Sequence, residues 1–304
     1  MGMFSVICFF IISGYLIFQS FQRSTGVVDY YWKRILRIYP ALIVVLLLCV
    51  ILGPFVYEGT VPYLKNSEVW SYIPGNLKLF QQQGRISGIF EDNPMQAING
   101  SLWSIRYEIF MYILLSLLFF IRKIPTYVKA ALILSFVILV LGNLLYIHPS
   151  RHYALIYYTC YLGAFFCAGA VLAAIKINGI KHKKIVLAVS SILLVASFYF
   201  GVFMYTNYIL LPVVIITLGL TPIPYLCNIG KKMGDISYGV YIYGFPVQQT
   251  LVYYFKFNAM ELMLPSLVIS YLLAFCSWHL IEKKALELKK IHPKMIFSRK
   301  QKAN

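Results

Sequence analysis

Nine apolar runs divide the 304-residue chain, at about 3–20, 40–57, 102–121, 127–147, 153–175, 184–204, 208–222, 236–255 and 262–282. Most are close to the ~20 residues a helix needs to cross a bilayer. The pattern predicts an all-α, polytopic membrane helix bundle of about nine transmembrane helices. The seventh run is short and holds Pro212 and Gly219, so it is expected to be broken or tilted. Composition agrees: 60% of residues are hydrophobic and 12% charged, more apolar side chain than one water-soluble core hides.

The charges give this bundle a direction. Of 27 Lys and Arg, 21 fall on one side of the alternating connections and in the tail, among them Arg23, Lys33, Arg34, Arg37, Arg122 and Lys176. Lys65, Lys78, Arg85, Arg151 and Lys256 fall on the other, and Arg106 sits at a boundary. Basic connections stay in the cytoplasm. The expectation is a multi-pass cell-membrane protein, bacterial inner membrane in type, with the N-terminus outside and the C-terminus in the cytoplasm. Residues 1–288 form the predicted membrane domain and 289–304 a basic cytoplasmic tail. The +17 net charge is expected to meet anionic membrane lipids. Spread along one face without a folded reader domain, it does not suit nucleic acid.

The connection from Glu58 to Gly100 is too long for a plain turn, and its Trp70, Tyr72, Phe80, Ile89 and Phe90 predict an ordered lid on the outer face. The six cysteines stand singly and read as core. His148 and His152 flank Pro149 without a third ligand nearby, so no metal site is expected.

Chemistry concentrates in a few stretches. Ser13-Gly14 is a small pair in a bulky helix, where another helix or a ligand can approach the backbone. Lys33, Arg34 and Arg37, set among Tyr30, Tyr31, Trp32 and Tyr39, read either as a membrane anchor or as a phosphate grip. Arg34 and Arg37 are three apart and share a helical face, and paired guanidinium forks suit phosphate oxygens. Asn99 or Ser101 can cap the next helix, which places Glu108 about two turns inside. A carboxylate at that depth costs a few kcal/mol unless paired, protonated or facing a wet cavity. Ser104 and Tyr112, each four residues away, share its face; Arg106 does not. Tyr238, Tyr241 and Gln248 carry polarity down the eighth span, which Pro246 should kink. His279 and Glu282, three apart, read as a boundary salt bridge or a catalytic pair.

Together, Phe9–Ile17, Tyr31–Pro40, the stretch from Phe90-Glu91-Asp92-Asn93-Pro94 to Tyr112, Ser237–Gln249 and Leu280-Ile281-Glu282-Lys283 resemble the acyltransferase-3 family of integral membrane acyltransferases. That family includes O-acetylases of lipopolysaccharide and exopolysaccharide. The resemblance implies acyl transfer, usually of acetyl from acetyl-CoA as co-substrate, to a hydroxyl of a polysaccharide or its lipid-linked precursor, with no bound cofactor. Arg34 and Arg37 would then hold the donor and Glu108 would act at the reacting centre. Ser13, Trp103, Ser104, Tyr112, Tyr238 and Glu282 would line the acceptor pocket. Relatives carry an additional first helix with an Arg and a His eleven residues apart, the His being the favoured base. None of the five histidines here matches it, so this chain is expected to begin at the family's second helix. A transporter or flippase of acyl groups or lipid-linked sugars, or an inactive truncated fragment, are the alternative readings.

Overall fold

In the computed structural model, residues 2–145, 154–222 and 233–290 are described. The helices are α1 Gly2–Arg23, α2 Val27–Leu52, α3 Ser67–Leu77, α4 Ile105–Leu117, α5 Pro125–Leu145 and α6 Ala154–Ala174. They continue with α7 Lys183–Tyr199, α8 Phe203–Leu220, α9 Ser237–Phe255, α10 Ala259–Ser277 and the short α11 Lys283–Glu287. Every predicted span meets a helix, and no strand pairing beyond an isolated Tyr57–Ile89 bridge occurs among the described residues. Among the described residues, seven helical stretches are long and apolar enough to cross a membrane. The other two predicted spans are α7, which has only 17 residues, and α9, whose Tyr, Gly and Gln dilute its apolar run. Of the two expectations for the seventh run, a break is not seen: α8 continues through Pro212.

The chain divides into two units: Met1–Tyr30 with Tyr107–Pro224, and Tyr31–Arg106 with Tyr225–Asn304. In the first, α1 lies along α6. A Cβ on Gly14 would sit 1.9 Å from the Phe166 carbonyl oxygen, and one on Gly169 would sit 2.1 Å from that of Ile11. These helices therefore touch backbone to backbone at Gly14 and Gly169. Phe10, Ile11, Phe18, Phe165 and Phe166 fill the adjoining interior. The outward faces of α5 and α7 are apolar too: Leu134, Ile138, Ile192, Val195 and Phe198 are more than half exposed, as a lipid solvent requires. Arg122 closes the end of α1, donating to the carbonyls of Ser24 (2.6 Å) and Gln22 (2.7 Å) while its guanidinium packs on Phe21 and Phe119.

The second unit holds most of α2 with α3, α9, α10 and α11. Here the long connection is ordered, but it is not a lid. The Tyr63 hydroxyl donates to the Val50 carbonyl (2.8 Å) and the Tyr39 hydroxyl to the Leu77 carbonyl (3.2 Å). Those two α2 positions are eleven residues, or roughly 16 Å, apart along the helix axis. The segment therefore runs down the side of α2, turns at Leu79 (φ 67°) and returns to the Tyr57–Ile89 bridge. Backbone away from water needs partners from the protein. Asn76 supplies them, donating to the carbonyls of Tyr72 (2.8 Å) and Gln83 (3.0 Å) and accepting from the Gln83 amide (3.1 Å). Burial pushes the Tyr72 phenol well above its ordinary pKa.

Asn99 ties this connection to α9. Pro246 has no N–H for the carbonyl of Ile242, four residues earlier, and the Asn99 side chain donates to it instead (3.0 Å). Its oxygen meanwhile caps the next helical turn, accepting from the Ser101 amide (3.0 Å). Gly100 lets this turn lie on the Phe245 ring, where a Cβ would come within 2.6 Å.

Candidate active site

The first unit places Glu108 on α4 at 4% exposure. Two hydroxyls donate to its Oε1: Ser13 from α1 (3.3 Å) and Tyr112 from one turn further along α4. Tyr112 follows from the four-residue spacing. Ser13 is delivered by the close α1–α6 packing, because Gly14 beside it permits that approach. The Tyr112 carbonyl in turn accepts from the Tyr30 hydroxyl (3.2 Å), which anchors the turn. The result is a buried carboxyl with converging hydroxyl donors, an arrangement that can orient a substrate hydroxyl or hold a proton.

The remaining predicted residues belong to the second unit. The Ser104 and Tyr241 hydroxyls share a hydrogen bond (2.8 Å). Ser104 ends a 3-10 turn, Gly100–Ser104, that leads directly into α4. Trp103, in the same turn, is half-buried. Tyr238 is buried at 3% exposure. Gln248 is exposed; its neighbour Gln249 points inward, accepting from Asn93 (3.2 Å) and donating to the Ala97 carbonyl (2.7 Å).

Glu282 is 2% exposed but does not pair with His279. Residues Trp278–Glu282 form a π turn, which breaks the three-residue spacing. The Tyr243 hydroxyl donates to Ser277 Oγ (2.9 Å), and Ser277 donates to Glu282 Oε1 (2.9 Å). Glu282 Oε2 is buried without a hydrogen-bond partner among the described residues. His279 lies against the Phe275 ring, with centroids 4.1 Å apart, and its Nδ1 is 3.0 Å from the Phe275 carbonyl. Ser277 carried no signal in the sequence, since its role depends on the π turn.

Arg34 and Arg37 are half-buried on α2. Arg37 pairs with Asp235 (2.8 Å) and also donates to its carbonyl (3.4 Å). A separate cavity of about 200 Å³ in this unit is walled by Val45, Leu48, Cys49, Tyr243, Pro246 and Leu273 among others. Its wall is hydrocarbon, and none of the predicted site residues lines it, so it offers room but no chemistry. No cluster of three metal-ligating side chains occurs among the described residues; His148 and His152 lie outside them.

A family model described as an acyltransferase domain matches residues 1–281. An O-acetyl transferase of Shigella phage Sf6 is 30% identical, the alignment covering 94% of this chain and 85% of the relative. No solved structure matches. With ordered motifs, a helical membrane bundle and a family match over nearly its whole length, the chain belongs to the acyltransferase-3 family, enzymes that transfer acyl groups other than aminoacyl groups.

Proposed function

We propose that this enzyme is an integral membrane O-acyltransferase of the cell membrane. It moves an acyl group, acetyl in the first instance, from acyl-CoA to a hydroxyl of a cell-envelope polysaccharide or its lipid-linked precursor. The observation that carries this reading is the buried Glu108 carboxyl and its two hydroxyl donors in a family of acyl-transferring enzymes. The O-acetyl transferase name of the phage relative supports acetyl and oxygen as the transferred group and accepting atom.

In the reaction the acceptor oxygen attacks the thioester carbonyl carbon, the hydroxyl proton leaves to a base, and the CoA thiolate departs. Glu108 orients the acceptor from within the bundle, with Ser13 and Tyr112 fixing its carboxyl. Arg34 and Arg37 hold the CoA phosphates at the basic, cytoplasmic end of α2. Trp103, Ser104, Tyr238 and Glu282 shape the acceptor pocket, and membrane lipids surround the bundle. The C-terminus lies in the cytoplasm, on the side of the donor.

The test is transfer of radiolabel from acetyl-CoA to polysaccharide in membranes carrying the full chain. Label bound covalently to the polymer supports the reading; sugar or acyl movement across the bilayer without covalent label would replace it with a transporter.

A further inference from the structure

We propose that Asp235 competes with coenzyme A for Arg37, as a resident carboxylate that the donor's phosphate displaces on binding and that returns to the guanidinium as CoA leaves. This rests on the donor reading of Arg37 above. The Arg37 guanidinium engages Asp235 twice: Nη2 lies 2.8 Å from Oδ1, and Nη1 donates to the backbone carbonyl (3.4 Å). The turn that presents this acid is fixed. Gly234 takes a φ of 79°, and a Cβ there would lie 2.0 Å from the Trp278 indole nitrogen, so any side chain would push the turn off Trp278. The Ser237 hydroxyl then orients the carboxylate, donating to Oδ1 (2.8 Å).

Exposure decides which partner of the pair can be exchanged. The Asp235 side chain is 56% exposed and that of Arg37 only 21%. A released Asp235 carboxylate is taken up by water, whereas a guanidinium rich in N–H donors and mostly out of water needs an acceptor throughout. A phosphate offers it more oxygens than a carboxylate, at least the same charge and the same forked geometry. Two anions on one guanidinium repel each other, so the carboxylate has to give way. Asp235 thereby lowers the affinity of Arg37 for phosphate and speeds the departure of product CoA. A CoA phosphate and an anionic lipid headgroup share this chemistry; the competitor is assigned to CoA on the donor reading.

The experiment measures CoA binding calorimetrically to the full chain in phosphatidylcholine nanodiscs at pH 7, for the parent, Asp235→Asn, Arg37→Ala, their double variant and Glu287→Gln, which removes the same charge from an exposed position on α11. Asp235→Asn keeps an oxygen for Ser237 but not the charge, and should tighten CoA about three- to fivefold, the range of a solvent-exposed ion pair. Glu287→Gln should bind as the parent does. On the Arg37→Ala background Asp235→Asn should change nothing. Tightening there, or equal tightening by Glu287→Gln, would trace the effect to overall charge and overturn the proposal. If Arg37→Ala weakens CoA while Asp235→Asn binds it as the parent does, or less tightly, the inference falls and the donor reading of Arg37 stands. If Arg37→Ala binds CoA as the parent does, both fall. Asp235→Ala repeats the test, with the same outcomes, should the Asn variant not be recovered folded. A repeat with phosphatidylglycerol in the nanodisc separates the sources: more phosphatidylglycerol retained by Asp235→Asn, with CoA affinity unchanged from the parent, assigns the anion on Arg37 to a headgroup and overturns the proposal.

Discussion

Two buried carboxyls, Glu108 in one unit and Glu282 in the other, solve the same problem differently. Glu108 accepts from two hydroxyls on one oxygen, and each donor reaches it independently. Glu282 depends on a relay, Tyr243 to Ser277 to carboxyl, with its second oxygen unsatisfied among the described residues. The first arrangement survives loss of one donor. The second does not, because Ser277 both accepts and donates. The difference teaches that a carboxyl held by converging donors keeps its place without any one of them, whereas one held by a single chain of bonds does not.

The most damaging change expected is Gly14→Leu. Its Cβ would overlap the Phe166 carbonyl at 1.9 Å, and backbone cannot move aside as a side chain can. Overpacking of this kind costs about 1–3 kcal/mol even where side chains yield, so loss of folded protein on size-exclusion chromatography is expected. A well-folded variant with full activity would show that α1 does not set the position of Ser13.

Next is Glu108→Gln, which keeps the shape and the hydroxyl contacts but removes the charge. Transfer of acetyl label should fall by about a hundredfold, near 2.7 kcal/mol of barrier, with thermal stability little changed. The matching Glu282→Gln should fall far less. Equal losses would erase the distinction between the two carboxyls.

Ser277→Ala against Ser13→Ala tests the redundancy directly. Removing Ser277 strands the Tyr243 hydroxyl and Glu282 Oε1 together, a cost of about 1–3 kcal/mol for each buried group left unmade. Removing Ser13 leaves Tyr112 on Glu108, a net loss of about 1 kcal/mol. Thermal unfolding in one detergent should rank them in that order, and the reverse ranking would mean that the relay has other support.

The same contrast explains what was legible. Spacing on a regular helix exposed Glu108 with Tyr112, and hydropathy placed every described span, because both rest on the 3.6-residue period alone. Ser277 carries no signal in the spacing because the π turn at Trp278–Glu282 resets that period. The long connection was read as an outer lid since apolar content reports order but not depth. Its course along α2 is set by tertiary hydrogen bonds from Tyr39 and Tyr63.

A third carboxyl gives the smallest effect and the sharpest control, because Glu91 lies in that connection and not in a membrane span. Its Oε1 accepts from the Gly88 amide (2.8 Å), and both oxygens take Arg85 (3.1 and 2.9 Å). The Gly88 N–H first, and Arg85 second, hold its carboxyl below the usual carboxylate range. With the folded pKa depressed, the stabilisation is complete above the unfolded value near 4.3 and is lost as pH falls through the folded one. Arg85 is half exposed and Glu91 a third exposed, so water screens the pair and its worth stays under about 1 kcal/mol. The Gly88 amide shift, followed by NMR from pH 7 downward, should stay flat to about pH 5 and then titrate with a midpoint below 4.3. Arg85→Ala should raise that midpoint only part of the way, since the backbone donor remains. Full return to the unperturbed value would place the hold in the arginine alone, and would make Glu91, like Glu282, a carboxyl dependent on one partner.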